Sequence, residues 1–291
     1  MRTILAPAKI NLVLEVGEKR ADGYHELATV FQSIPIFDRI VVQLIPHATT
    51  DIDLTVHGAR LPEGSENLVW KAARLLADAT GRQRAGISIR VEKNIPVAAG
   101  LGGGSSDAAA TLQALAALWQ VSDNQLLYRL AKELGSDVSF FLRGGSALGH
   151  GRGEILTPVK LPPMWLVLAN PGVSCNTAAV YANYVAGPRR QLGHYCGELL
   201  AVANDGASAM AAKLHNDLAS SALQLVPASR RLLEEMLQAG ALGATVSGSG
   251  ATVFGIAANA SQAQTIADRI KATASWVWWG SSEHRSNGGG G

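Results

Sequence analysis

Four glycines, at positions 100, 102, 103 and 104, lie within Pro96-Val-Ala-Ala-Gly-Leu-Gly-Gly-Gly-Ser-Ser106 of this 291-residue chain. Glycine lets backbone approach a ligand closely and adopt positive φ. The first turn of a following helix adds unpaired N–H groups and the positive end of its dipole. An anionic phosphate is the guest that such a loop suits. No Gly-Lys dipeptide occurs, which excludes a P-loop, and no G-x-G-x-x-G register is present. A glycine cluster alone fits a flexible linker equally well. A strand expected to end near Val91 and a helix expected to open at Ser105 or Ser106 shift the balance toward phosphate binding.

Other polar residues stand where chemistry could use them. Lys9 and Asn11 alternate with Ile10, Leu12, Leu14 and Val16, a period of two that puts lysine and asparagine on one face of a half-buried strand. Asp137 follows a helix end, where aspartate usually serves a turn or cap. Tyr24 and His25 follow an Asp-Gly turn, and Tyr181 follows Asn170-Pro-Gly-Val-Ser-Cys-Asn176; such residues ordinarily pack on a surface. Ser247-Gly-Ser-Gly250 joins two strand-like pieces and reads as a hairpin turn.

The elements that must position these residues mix strands and helices. Strands are expected at 40–45, 52–56, 87–91 and 165–169, and helices at about 67–79, 123–134, 229–238 and 261–273. Leu112, Leu115, Ala116 and Trp119 give the helix after the glycine loop an apolar face, and Gly135 suits a C-terminal cap. Residues 144–153 read as a glycine-dense connection, and 177–225 as a polar, helix-rich section. The class is α+β, with a first domain at 1–157, a second at 158–280 and a disordered tail at 281–291.

Composition narrows the partners. The 25 basic and 23 acidic residues leave a formal charge of +2, with no basic excess for nucleic acid. Cys175 and Cys196 are too few for a disulfide framework or a four-cysteine zinc site. Lys9 and Asn11 interrupt the apolar run that a secretory leader would need, and no stretch approaches the ~20 apolar residues of a membrane span. A soluble cytoplasmic protein acting on a small molecule is expected, and nothing chooses between monomer and homodimer.

Pro7-Ala-Lys-Ile-Asn-Leu12, the stretch from Pro96 to Ala110, and Gly243-Ala-Thr-Val-Ser-Gly-Ser-Gly-Ala-Thr-Val-Phe-Gly255 resemble, in order, the three motifs of the GHMP kinase superfamily. The resemblance runs from about residue 1 to 256, and Arg20-Ala-Asp-Gly-Tyr-His-Glu-Leu27 narrows it to the branch acting on 4-diphosphocytidyl-2-C-methyl-D-erythritol, of the non-mevalonate isoprenoid pathway. It implies an N-terminal nucleotide domain with a mixed sheet and helices, a ferredoxin-like C-terminal α/β domain and a cleft between them. It also implies ATP-dependent phosphorylation of the acceptor's carbon-2 hydroxyl.

By the same resemblance Lys9 and Asp137 are catalytic, the aspartate as base, although Ser139 stands where proline is common in the family. The phosphates fall to Pro96, Val97, Ala98, Ala99, Gly100, Leu101, Gly102, Gly103, Gly104, Ser105 and Ser106. Tyr24 stacks on the cytosine, His25 bonds its edge, Tyr181 forms a second aromatic wall and Asn11 meets the polyol. The 247–250 turn closes on the acceptor side, and Lys93 and Asn67 contact the adenosine. Mg²⁺ is expected with ATP, its protein ligands unassigned. A homoserine or mevalonate kinase would share the loop but lack the Asp-Gly-Tyr-His block, and a non-catalytic sensor would have no need of Lys9 and Asp137.

Overall fold

The computed structural model describes residues 1–45, 52–82, 86–187 and 191–283. In chain order the first half contains β1 (Arg2–Lys19), β2 (His25–Ile45), β3 (Ile52–His57), α1 (Leu68–Ala79), β4 (Gly86–Glu92), α2 (Gly103–Trp119), α3 (Asn124–Leu134), α4 (Ser136–Arg143), β5 (Ser146–Gly151) and β6 (Ile155–Pro158). The second half contains β7 (Trp165–Asn170), α5 (Thr177–Ala182), α6 (His194–Ala201), α7 (Ala207–Ala211), β8 (His215–Asn216), α8 (Ala219–Leu225), α9 (Pro227–Gln238), β9 (Gly243–Val246), β10 (Val253–Ala257), α10 (Ala260–Ile270) and β11 (Trp276–Ser281).

The first sheet is mixed. Along the order β3-β4-β2-β1-β8, the pairs β3–β4 and β1–β8 are parallel and the rest antiparallel, with β5 and β6 continuing from β2. The second sheet is antiparallel in the order β11-β7-β10-β9, which with α9 and α10 is the ferredoxin-like arrangement. The division expected between residues 157 and 158 falls at the end of β6. Ser281 closes β11, the Ser282 hydroxyl accepts from Met164 N at 3.0 Å, and the rest of the expected tail, 284–291, lies outside the described residues.

β1 is the strand on which three cores meet. Ala6 packs with Phe31 and the apolar faces of α1 to α4, whereas Ala8, Ile10 and Leu12 pack with Leu166, Leu168, Phe254 and Ile256 of the second sheet. The alternation holds from Lys9 to Leu12 but not beyond, where Leu14 and Val16 pack in a third core, and the half-buried expectation fails. Lys9 and Asn11, 4% and 3% exposed, sit under a second layer instead of facing water. A register shift between Asn11 and Val13 lets Leu12 and Val13 join the same core.

Three further differences have local causes. β2 begins at His25, long before the expected 40–45, because Val30, Ile34 and Ile36 pack on the second core as its partner β1 does. Residues 144–153, expected as a connection, include β5, since Ala147 through Pro158 pair as a hairpin. The helix after the glycine loop opens at Gly103, not at Ser105 or Ser106, with left-handed Gly102 as N-cap and no capping side chain. Among the described residues no helix is long and apolar enough to cross a membrane.

Candidate active site

Lys9 and Asp137 meet from opposite elements. Lys9 rides on β1, its backbone N–H donating to Leu101 O at 3.0 Å, so β1 is tied to the glycine loop. Its Nζ donates to Asn11 Oδ1 at 2.7 Å and stands 3.5 Å from Asp137 Oδ2. Asp137 occupies the first turn of α4, where the helix dipole favours a carboxylate. The Lys9 side chain is 5% exposed and that of Asp137 32%, which leaves the carboxylate open to a ligand and the ammonium held.

A short relay fixes the polar face of β1. Asn11 Nδ2 donates to Thr29 Oγ1 at 2.8 Å, and Thr29 Oγ1 donates to Val13 O at 2.7 Å. Thr29 is fully buried, so every polar atom in this chain needs its partner. The sequence reading passed over Thr29 because it did not carry β2 back to His25. Val30, Ile34 and Ile36, apolar residues of one strand parity, were the available signal.

The glycine loop is shaped by contact with the second sheet. Gly100 takes φ +77°, and a Cβ there would lie 2.1 Å from Ser247 O, so no larger residue fits. Ser247 Oγ donates to Gly100 O at 2.9 Å, and Thr252 N to Ala99 O at 3.2 Å. Asn216 Nδ2 holds Val246 O and Gly248 O, both at 2.8 Å, and thereby shapes the 247–250 turn from below. Because no side chain caps α2, its first N–H groups remain available to an anion.

Behind the loop lies a buried charge cluster. Lys93 Nζ pairs with Asp38 Oδ2 and, at 2.6 Å, with Asp107 Oδ2. Asp38 Oδ1 also accepts from Asn94 N at 2.6 Å and Ile95 N at 2.9 Å. Burial pushes the Asp107 carboxyl up to about 7; the Lys93 charge opposes the shift and the Asp38 charge adds to it. Lys93, expected at the adenosine, has its ammonium between two carboxylates, and Asn67 caps α1 through Val69 N and donates to Pro62 O. Asp38 and Asp107 escaped the sequence reading. Only the fold joins β2 to the start of α2.

One cavity of about 1070 Å³ spans the site. Pro96 to Gly100, Gly102 to Ser105, Lys9, Asn11, Asp137, Tyr24, His25 and Tyr181 line it, whereas Leu101 and Ser106 are buried behind its wall. Where β2 begins, His25 Nδ1 donates to Gly17 O at 3.0 Å, so that in the neutral ring Nε2 is the acceptor. The Tyr181 ring stacks on His25 at 5.7 Å and 29°, while Tyr24 is 56% exposed. Burial, then the Asp137 charge, pushes the Tyr181 hydroxyl up to about 12.

A mixed-sheet domain, a ferredoxin-like sheet, an uncapped helix over a glycine cradle and a buried lysine beside an open carboxylate define a small-molecule kinase of the GHMP type. The GHMP kinases N terminal domain matches residues 67–145, and the GHMP kinases C terminal domain residues 201–275. A 4-diphosphocytidyl-2-C-methyl-D-erythritol kinase of Pelotomaculum thermopropionicum is 45% identical, covering 93% of this chain and 94% of its own. The corresponding enzyme of Rhodococcus jostii is 43% identical, covering 92% and 87%.

A crystal structure of 4-(cytidine 5'-diphospho)-2C-methyl-D-erythritol kinase superposes with TM-score 0.80 at 37% identity, over 96% of this chain and 98% of that one. Homoserine kinase of Cytophaga hutchinsonii superposes with TM-score 0.75 at 21% identity, over 97% and 94%, and shares the fold. The chain belongs to the 4-diphosphocytidyl-2-C-methyl-D-erythritol kinase family of the GHMP kinases, which are ATP-dependent.

Proposed function

We propose that this cleft transfers the γ-phosphoryl group of ATP to the carbon-2 hydroxyl of 4-diphosphocytidyl-2-C-methyl-D-erythritol, with Lys9 and Asp137 as the catalytic pair. The observation that carries the reading is the placement of Lys9 Nζ, 3.5 Å from Asp137 Oδ2, in the same cavity as the glycine loop and as His25 and Tyr181. The acceptor oxygen attacks the γ-phosphorus, the bond from that phosphorus to the β,γ-bridging oxygen breaks, and ADP leaves. The hydroxyl proton goes to Asp137. With a loose transition state the carboxylate's first task is to orient the hydroxyl.

Lys9 serves by position. A fixed ammonium beside the acceptor offsets negative charge as the new bond forms. Asn11 is held at both ends of its amide by Lys9 and Thr29, and so presents one orientation to the polyol. His25 Nε2, left as an acceptor, suits the exocyclic amine of cytosine, with Tyr24 and Tyr181 offering flat faces to the ring.

Mg²⁺ is proposed to arrive with ATP. Among the described residues no group of three or more His, Cys, Asp and Glu could hold it alone. Ser106 Oγ and Asp107 Oδ1, buried without partners at the first turn of α2, are the side-chain oxygens that fit it. When bound it neutralises phosphate charge.

The test is ADP release from ATP with 4-diphosphocytidyl-2-C-methyl-D-erythritol, homoserine and mevalonate offered separately. The first alone should support turnover. Equal or faster turnover on homoserine or mevalonate would replace this reading with that of another GHMP kinase.

A further inference from the structure

Arg152, which the sequence reading did not single out, lines the cavity with its guanidinium Cζ 4.9 Å from the centroid of the Tyr24 ring. We propose that Arg152 is a positioning residue for acceptor recognition: it holds one face of Tyr24 so that the other face is presented, in a fixed orientation, to the cytosine. The inference rests on the acceptor assigned above and extends it to the turn between β5 and β6.

The turn is built to hold that side chain in place. Glu154 Oε2 accepts from Arg152 N at 2.6 Å, and Gly153 N donates to His150 O at 3.0 Å. A Cβ on Gly151, which has φ +73°, would stand 2.9 Å from the same Glu154 carboxylate, so the tight turn needs glycine there. β5 pairs with β2 in a register that sets Gly151 opposite Leu27, two residues beyond His25. The arginine therefore projects from a fixed backbone toward the start of β2.

Tyr24 has the complementary need. Its loop backbone is well tied: Arg20 N donates to Tyr24 O at 2.7 Å, Tyr24 N to Asp22 Oδ1 at 3.1 Å, and the Arg20 guanidinium reaches Glu26 at 2.6 Å. The ring, by contrast, is 56% exposed, and an exposed side chain loses rotamer freedom whenever it is used to bind. A cation over one aromatic face attracts the ring and restricts it before the ligand arrives. The charge of Arg152 also reaches Asp22, whose carboxyl, despite an opposing desolvation effect, sits below its ordinary range through hydrogen bonds from Tyr24 N and Arg20 and the charges of Arg20 and Arg152.

The arrangement acts on the acceptor half of the cleft alone. Arg152→Ala should raise KM for 4-diphosphocytidyl-2-C-methyl-D-erythritol roughly 2- to 5-fold, with kcat and KM for ATP unchanged from the parent. Arg152→Lys, which keeps the charge but not the planar stack, should fall between the two. In a Tyr24→Ala background the arginine substitution should have no further effect on that KM.

An unchanged acceptor KM in Arg152→Ala, or a fall in kcat together with a rise in KM for ATP, would overturn the proposal. So would an undiminished effect of Arg152→Ala in the Tyr24→Ala background, which would mean that the guanidinium meets the substrate directly. Failure of the acceptor assignment itself is separate: the parent enzyme would then release no ADP with this acceptor.

Discussion

Lys9 Nζ stands 3.5 Å from Asp137 Oδ2 while its shorter bond, 2.7 Å, goes to Asn11 Oδ1. The lysine is anchored by the asparagine, and the carboxylate is left with room for a hydroxyl. Asp137→Asn removes the proton acceptor and should lower kcat by about 10²–10⁴-fold, and Lys9→Ala by a similar factor. Initial rates, with circular dichroism to confirm the fold, check both. Near-normal turnover in either folded variant would remove the pair from the chemistry.

The relay behind that pair predicts a subtler defect. Thr29→Val keeps the shape but leaves Asn11 Nδ2 buried without its acceptor, at a cost of about 1–3 kcal/mol. Tm should fall, and kcat should fall with it as Asn11 loses its single orientation. Thr29→Ser should recover most of both. Thermal melts and rates on the three proteins make the comparison; a fully active Thr29→Val enzyme would show the relay to be dispensable.

At Gly100 a methyl group would meet Ser247 O at 2.1 Å, and the obstruction is backbone rather than a side chain that can swing away. Gly100→Ala should separate the glycine loop from the 247–250 turn and abolish the rise in Tm that ATP gives the parent by binding the folded state. Differential scanning fluorimetry with and without ATP reads this. A parental shift would mean that the loop binds phosphate without that contact.

Asp107 gives a pH dependence with a definite sign. Its carboxyl moves from 3.8 in the unfolded chain to about 7 in the folded one, so the folded state binds the proton more tightly. Its contribution to stability is complete below pH ~4 and is lost as pH rises through ~7. Asp107→Asn cannot titrate, and its Tm should decline less than that of the parent between pH 5 and pH 8. Parallel Tm profiles would assign the slope to other groups.

How much could be read from the sequence differs by element. The face shared by Lys9 and Asn11 was readable because a strand has period two and Ile10 and Leu12 mark its apolar side, whereas the register shift that turns Leu14 to the cavity was not. That this face is buried was not, because the covering layer comes from residues far away in the chain. The glycine loop was visible as a phosphate site from composition and flanking elements. The start of its helix was misplaced by two or three residues, since Ser105 resembles a cap while left-handed Gly102, with no side chain to cap, stands at the N-cap position.

Long-range pairing accounts for the rest of what the sequence did not reveal. Lys93 alone says nothing of Asp38 or Asp107, which lie 55 and 14 residues away. Arg152 and Tyr24 are brought together only by the pairing of β5 with β2. The family motifs named Lys9, Asp137, Tyr24, His25 and Tyr181, and the fold places all of them around one cavity.

The most direct measurement is the rate of ADP release with 4-diphosphocytidyl-2-C-methyl-D-erythritol compared with the same methylerythritol unit lacking the cytidine diphosphate. If the cytidine is gripped at Tyr24, His25 and Tyr181 while Lys9 and Asp137 act on the hydroxyl, kcat/KM should fall by at least about 10²-fold for the truncated acceptor, because remote binding energy is lost from the transition state. Equal use of the two acceptors would contradict the account.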